Sequence, residues 1–343
     1  MEEGSAFTMA DVARLAGVSV STVSNVLNNK AVVSPELTAR VQQAIKAIGF
    51  SPNRAARGLR RGRTEIIGMV IPDVTNPFYA QVVRGVEDTA IKNGYELMVC
   101  NSNRQPDLER RHLDALQAQR VDGILLVPSN TYAAREVLVR NYPPIVFVDC
   151  FPLDSKVNCV VTDNIGASYE AVRYLIGLGH RKIAVITAEL TYTTMIDRME
   201  GYRKAMQEAG IPIRLEYTAK SATEIEGGYR SGLNLFRLTE PPTAIFSLNN
   251  RMTLGILQAL RELGIPCPER VSIMSFDDPD WATVFSPTLT AIEQPSYQIG
   301  ISSVQLLLKS IRSAASKTAN ETQRVEIKSK LLIRESTGPV PKI

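Results

Sequence analysis

Histidine and cysteine are scarce in this chain: two and four in 343 residues. Cys100, Cys150, Cys159 and Cys267 show no C-x-x-C pairing, and His112 and His180 are the only imidazoles, so neither a His/Cys metal site nor a bound cofactor is expected. Reduced thiols are the simpler reading. No Ser/His/Asp or Cys/His grouping emerges, so no catalytic residue is assigned and an enzyme is the disfavoured class. Gly177-Leu178-Gly179 precedes its strand instead of following one, which makes it a helix-ending turn and no dinucleotide fingerprint. No apolar run approaches the roughly 18 to 20 residues needed to cross a bilayer, and the opening MEEGSAFT lacks the basic-then-apolar pattern of a signal peptide. A cytoplasmic protein with no membrane partner is the expectation.

Charge is unevenly spread. The net +4 conceals a first segment, residues 1–63, with nine Lys/Arg against four Asp/Glu, net +5; the remainder is net −1. Only the first segment looks like a partner for a polyanion. Within it, TMADVARLAGVSVSTVSNVLN (8–28) predicts two short helices around a glycine turn. Val12, Ala16, Val18, Val23 and Val26 form an apolar inner face, Ala13 is small where helices would cross, and Gly17 is free to take a positive φ. Thr8 and Ser19 stand at N-cap positions. The second helix presents Val20, Ser21, Thr22 and Asn25, short and uncharged, a surface suited to base edges in a major groove. An ordinary helical hairpin is the competing reading of these residues alone. Ser34-Pro35-Glu36 then opens a third helix with Leu37, Val41, Ala44, Ile45 and Ile48 at helical spacing up to Gly49. The basic stretch 51–63, whose single large apolar residue is Leu59, follows as a hinge.

From Thr64 onward, short apolar runs alternate with amphipathic helices: 66–71, 96–100, 123–127 and 144–148, then 182–186, 244–248 and 271–276. Strands buried on both faces and separated by helices predict parallel sheets, and the restart at 182 predicts two lobes. An internal echo agrees: Gly85 and Gly94 are separated by nine residues, as are Gly201 and Gly210. Ligands of open parallel sheets bind beyond the C-terminal strand ends. Asp73, Asn76, Phe78, Tyr79, Asp149, Arg198, Asn249-Asn250 and Asp277-Asp278 all fall there, with Gln294 shortly after the run LTAI. Carboxylates, amides and an arginine hydrogen-bond hydroxyls in pairs while an aromatic ring covers a sugar's apolar face. A loop cap is the competing role for any one of them.

In this order, DVARLAGVSVSTVSNVLN, FSPNRAARGLR, IIGMVIPDVTNPFYAQVVRGVED, LGHRKIAVI, DRMEGYRKAM, SLNNRMTLGILQAL, SFDD and LTAIEQP resemble the lactose/galactose-repressor family of bacterial transcription regulators over essentially the whole chain. The resemblance implies an α/β chain: an all-α helix-turn-helix headpiece (1–52), a hinge helix or linker (53–63), and two doubly wound parallel lobes like those of periplasmic binding proteins. The lobes would comprise 64–162 with 293–324 and 163–292 with 325–343. It places Val20, Ser21 and Asn25 against bases, with Ser19, Thr22, Ser24 and Asn28 nearer phosphates and Thr8 also in the DNA-facing set. Leu59 would wedge into the minor groove beside Ala56, while Arg54, Arg57 and Arg60 face phosphates. An eight-residue hinge helix is marginal in water and would fold only on DNA, Gly58 adding about 1 kcal/mol to that cost.

The same resemblance maps ligand contacts to Asn76, Phe78, Tyr79, Asp149, Arg198, Asn249, Asp277 and Gln294, with Arg198 and Asp277 clamping hydroxyls from opposite lobes. Two positions depart from sugar-binding relatives: Cys150 where many have arginine, and Asn250 where aspartate is usual. The implied partners are a pseudo-palindromic operator, a sugar-like effector and a second copy of the chain. GPVPKI after Thr337 has no apolar heptads for tetramer formation. The implied function is a repressor whose DNA affinity is coupled to effector binding. A transport solute-binding protein would share the lobes but carry a signal sequence and no headpiece.

Overall fold

Thr8 and Ser34 start helices for a readable chemical reason. In the computed structural model, which describes residues 7–27, 33–50, 63–221, 225–316 and 321–341, the Thr8 hydroxyl accepts the Asp11 amide at 3.4 Å while the Asp11 carboxylate accepts the Thr8 amide at 2.9 Å. This reciprocal cap opens α1 (Met9–Ala16). Gly17 ends it at φ 62°, ψ 41°, and α2 (Val20–Leu27) follows. Ser34 accepts the Leu37 amide at 3.4 Å and Pro35 supplies the first turn of α3 (Pro35–Ile48). Arg40 of α3 donates to the Ala16 carbonyl at 2.7 Å, satisfying an orphan acceptor at the end of α1. Val12, Ala13, Ala16, Val23, Val26, Val41 and Ala44 form the core, each valine contributing roughly 1.5–3 kcal/mol by burial. Phe50, beyond the helix-ending Gly49, also closes it, a contribution the sequence pattern did not indicate.

The chain divides into this unit (Met1–Thr64) and a second, Glu65–Ile343, which holds two six-stranded sheets. In chain order the first lobe is β1 (Ile66–Ile71), α4 (Pro77–Lys92), β2 (Glu96–Asn101), α5 (Pro106–Ala118), β3 (Gly123–Leu126), α6 (Ala133–Leu138), β4 (Ile145–Val148) and β5 (Cys159–Thr162). The second runs α7 (Asn164–Gly177), β6 (Ile183–Thr187), α8 (Thr193–Glu208), β7 (Thr218–Lys220), α9 (Ile225–Phe236), β8 (Ala244–Ser247), α10 (Asn250–Leu263), β9 (Ser272–Phe276) and β10 (Thr290–Glu293). Then α11 (Ser296–Ser316) and β11 (Arg324–Ile327) return to the first lobe, and β12 (Lys330–Leu332) to the second. The sheets read β11-β5-β4-β3-β1-β2 and β12-β10-β9-β8-β6-β7; every pairing is parallel except β10 with β12. Alternation along β1 sends Ile67, Met69 and Ile71 to the face covered by α4 and α11, and Val70 to the face covered by α5.

Two expectations are corrected. The second and third crossings between lobes lie later than divisions at 292 and 324, because Glu293 completes β10 and β11 pairs with β5 through Ile327. The pattern Arg-Val-Glu-Ile of β11 is too short and too charged to signal a strand of the first lobe. The run 96–100 is not buried on both faces: β2 is an edge strand with Met98 and Val99 about two-fifths exposed. The glycine echo has a packing cause. A Cβ on Gly85 of α4 would collide with the Tyr297 carbonyl of α11, and one on Gly201 of α8 with the Ile165 carbonyl of α7, so both helix pairs approach backbone to backbone.

Candidate functional site

Helix α2 carries no charged side chain, and its first turn is organised by hydroxyls. Ser19 Oγ accepts the Thr22 amide at 3.1 Å and lies 2.7 Å from Ser21 Oγ and 2.8 Å from Thr22 Oγ1. Val20 is 46 % exposed, Ser21 is exposed, and Thr22, Ser24 and Asn25 are half-buried on the same short helix. An apolar contact, hydroxyls and one amide therefore share the helix surface, the residue types that read bases and touch phosphates. Thr8 is spent in part on its cap, its hydroxyl donating to Asp11 at 2.7 Å. Asn28, Arg54, Ala56, Arg57, Leu59 and Arg60 lie outside the described residues.

The eight ligand candidates meet in one place. Asn76, Phe78, Tyr79, Asp149, Arg198, Asn249, Asp277 and Gln294 all line a single cavity of about 40 Å³ between the two lobes. Its walls are the loops beyond the C-terminal ends of parallel strands, where helix N-termini converge. Asn76 and Asn249 also do the local work of N-caps, accepting the Phe78 amide at 3.1 Å and the Arg251 amide at 2.9 Å. Asp149 and Asp277 hold φ of 64° and 73° at their strand ends, a left-handed turn that aspartate tolerates better than most side chains. Gln294, at the second crossing, donates to Asp277 at 2.5 Å and accepts from Thr162 at 2.6 Å, bridging the end of β5 to the end of β9.

Arg198 is 3 % exposed, yet well satisfied: it donates to Asn164 at 2.8 Å and to the Leu248 carbonyl at 2.8 Å, with its guanidinium 3.6 Å from the Phe276 ring centre. It sits on α8 and Asp277 follows β9, so both belong to the second lobe and do not face each other from opposite lobes. The opposing carboxylate is Asp149 of the first lobe. Tyr79 donates to it at 3.3 Å, while its Oδ1 is buried with no hydrogen-bond partner among the described residues. Burial raises its pKa to about 6; nearby Asp277 adds to the rise, and Arg198, Tyr79 and Arg104 oppose it. Burial also drives Tyr79 well above its ordinary value and pushes the Cys150 thiol up to about 11. The pocket thus holds a carboxylate short of hydrogen-bond donors, which hydroxyl groups would supply.

Five lining residues escaped the sequence pattern: Arg104, Pro128, Tyr192, Thr194 and Met195. Arg104 follows β2 in the first lobe and reaches Asp73 at 3.4 Å, and it lines the cavity together with Tyr192 of the second lobe. The strand-end rule that found Asp149 also applies after β2 and β6, but only the placement of β2 beside β1 carries the Arg104 loop to the cavity. Of the two departures, Cys150 lines the cavity and accepts a hydrogen bond from Thr193 at 3.2 Å, while Asn250, next to Asn249, donates to Asn76 at 3.3 Å across the lobes and its own carbonyl oxygen has no partner among the described residues. Among the described residues no His/Cys/Asp/Glu group has metal-binding geometry, and no helix is long and apolar enough to cross a membrane.

Comparison with known proteins matches residues 8–53 to bacterial regulatory proteins of the lacI family, and residues 64–335 to the periplasmic binding proteins and sugar binding domain of the LacI family. The ribose operon repressor of Escherichia coli (strain K12) is 38 % identical over 306 residues, spanning 89 % of this chain and 93 % of the relative. The lac repressor dimer bound to operator and the anti-inducer ONPF superposes with a TM-score of 0.86 at 25 % identity, covering 97 % of this chain and 100 % of that one. A LacI-family regulator from Enterococcus faecium with bound ribose gives a TM-score of 0.70 at 29 % identity, over 80 % of this chain and 99 % of its own.

Proposed function

Because the chain belongs to the lacI family of bacterial regulatory proteins, we propose that helix α2 and the interlobe cavity are the two ends of one switch. The chain is a DNA-binding transcriptional regulator with a sugar-type sensor body. In our reading it works as a cytoplasmic homodimer with no catalytic activity, and represses from a pseudo-palindromic operator. Val20, Ser21 and Asn25 read bases; Thr8, Ser19, Thr22, Ser24 and Asn28 hold phosphates. The hinge residues Arg54, Ala56, Arg57, Leu59 and Arg60 secure the minor groove. The effector is a small hydroxylated sugar. Asp149 and Arg198 bond its hydroxyls from the two lobes, Asp277, Gln294, Asn76 and Asn249 take the remainder, and Phe78 with Tyr79 covers its apolar face.

The observation that carries this reading is the joint lining of one cavity by all eight residues, with the buried Asp149 oxygen awaiting a donor. At about 40 Å³ the space is far below the roughly 300 Å³ at the small end of ligand pockets, so a guest enters only as the lobes part. That change of lobe angle couples the cavity to DNA affinity. Thermal-shift screening of sugars and sugar phosphates tests the sensor: a ligand at 100 times its dissociation constant stabilises by about 2.7 kcal/mol. Operator binding is tested by Asn25→Ala, which should cost about 1–3 kcal/mol at one base position, against Arg57→Ala, which should weaken all sequences and flatten the salt dependence. Equal losses on every sequence from both changes would refute the roles assigned.

A further inference from the structure

Asp277, Gln294 and Phe78 line more than the effector cavity. They also form one side of a second, open recess of about 580 Å³, which therefore adjoins the first and is large enough for a small molecule without movement of the lobes. We propose that this recess is a second sugar subsite, so that the effector is an uncharged disaccharide with one ring in the inner cavity and one in the recess. The proposal rests on the effector reading above and goes beyond it in stating the size and charge of the ligand.

The walls supply the argument. Pro77, Pro279, Pro295 and Tyr297 present ring surfaces, on which the C–H face of a pyranose packs. Between them, Gln81, Gln298, Asp280 and Glu293 provide amides and carboxylates that pair adjacent hydroxyls. The charge of the rim leans negative. Asp278 is already held by Arg334 through two bonds of 2.6 and 2.7 Å, leaving Asp277, Asp280 and Glu293 against Lys328 and Lys330. That excess disfavours a phosphate, and a second neutral ring adds no charge to it. Asn250 is the pointer to a ligand: it is 2 % exposed, lines the recess, and its carbonyl oxygen has no hydrogen-bond partner among the described residues. A buried unpaired acceptor is costly, and a sugar hydroxyl at the junction of the two spaces would satisfy it.

The test measures dissociation constants by calorimetry on the full chain for D-ribose, D-glucose, D-galactose, cellobiose, lactose and glucose 6-phosphate. Wild type is compared with Gln81→Trp, which fills the recess from an exposed position on α4. At least one disaccharide should bind ten-fold or more tighter than its component monosaccharides, and the tryptophan should remove that advantage while leaving monosaccharide binding within two-fold. If monosaccharides bind and disaccharides bind no better, or if Gln81→Trp leaves disaccharide binding untouched, the second subsite is overturned and the inner cavity stands. Tighter binding of the phosphate than of any disaccharide overturns the uncharged class. Failure of all six compounds overturns both readings together.

Discussion

Replacing Asp149 by asparagine should stabilise the protein while weakening its grip on sugar. Asp149 is 6 % exposed, and burial raises its pKa from the ordinary 3.8 to about 6. At 1.36 kcal/mol per pKa unit, that rise is a penalty of roughly 3 kcal/mol on the ionised form in the folded state. A carboxyl whose folded pKa lies above its unfolded one contributes its full share to stability below the unfolded value and loses it as pH rises through the folded value. The wild type therefore gives up roughly 3 kcal/mol between about pH 4 and pH 8, and Asp149→Asn does not. Asparagine keeps an acceptor for the Tyr79 hydroxyl, so little else changes. In urea unfolding followed by circular dichroism, the variant should be more stable by about 2–3 kcal/mol at pH 8, the gap shrinking below about 1 kcal/mol at pH 4. Sugar affinity should fall about 10- to 150-fold, since hydrogen bonds to a charged group contribute roughly 1.5–3 kcal/mol. A stability gap that stays constant across this range, or a variant less stable at pH 8, would refute the account of a strained, ionised Asp149.

Three further outcomes follow from the same geometry. Arg198→Ala strips the Asn164 and Leu248 oxygens of their donor and removes the counter-charge beside Asp149; it should cost about 2–4 kcal/mol and move the pH dependence attributed to Asp149 upward, which repeating the urea series would detect. His180 is buried between Thr243, Ser272 and the Gly338 carbonyl, and burial lowers its pKa. Its neutral form stabilises the fold above about pH 6.5, and that contribution is lost as pH falls below the unfolded value; amide exchange in β9, corrected for intrinsic rates, should be faster at pH 5 than at pH 7, and equal protection would count against it. Gly85→Ala or Gly201→Ala should cost about 1–3 kcal/mol by forcing apart helices that touch backbone to backbone, whereas alanine at an open, exposed helical site would be near neutral in a thermal melt.

The amphipathic headpiece was legible residue by residue because its signals are local. Thr8 with Asp11, Gly17 and Ser34-Pro35 each act within one turn of helix, so spacing alone identifies them. The buried strands were legible because a parallel sheet covered on both faces demands unbroken apolar runs. Where that demand lapses the reading failed: β2 is an edge and keeps apolar residues half-exposed, β11 alternates charge with valine and isoleucine, and Phe50 packs only because the chain turns back after Gly49.

Which residues stand at strand ends is readable along the chain, since Asn76, Asp149, Asn249 and Asp277 each directly follow a predicted strand or its turn. Who faces whom is a matter of packing in three dimensions. That packing put Arg198 and Asp277 on one lobe with Asp149 opposite, brought Arg104 and Tyr192 to one cavity across the cleft, and left Asp149 and Asn250 each with an oxygen unpaired among the described residues. The reason is physical: hydrophobic period fixes a strand and its direction within a few residues, but strand order and the three crossings between lobes are fixed by packing over the whole second unit. The burial that shifts a pKa exists only once those lobes have closed.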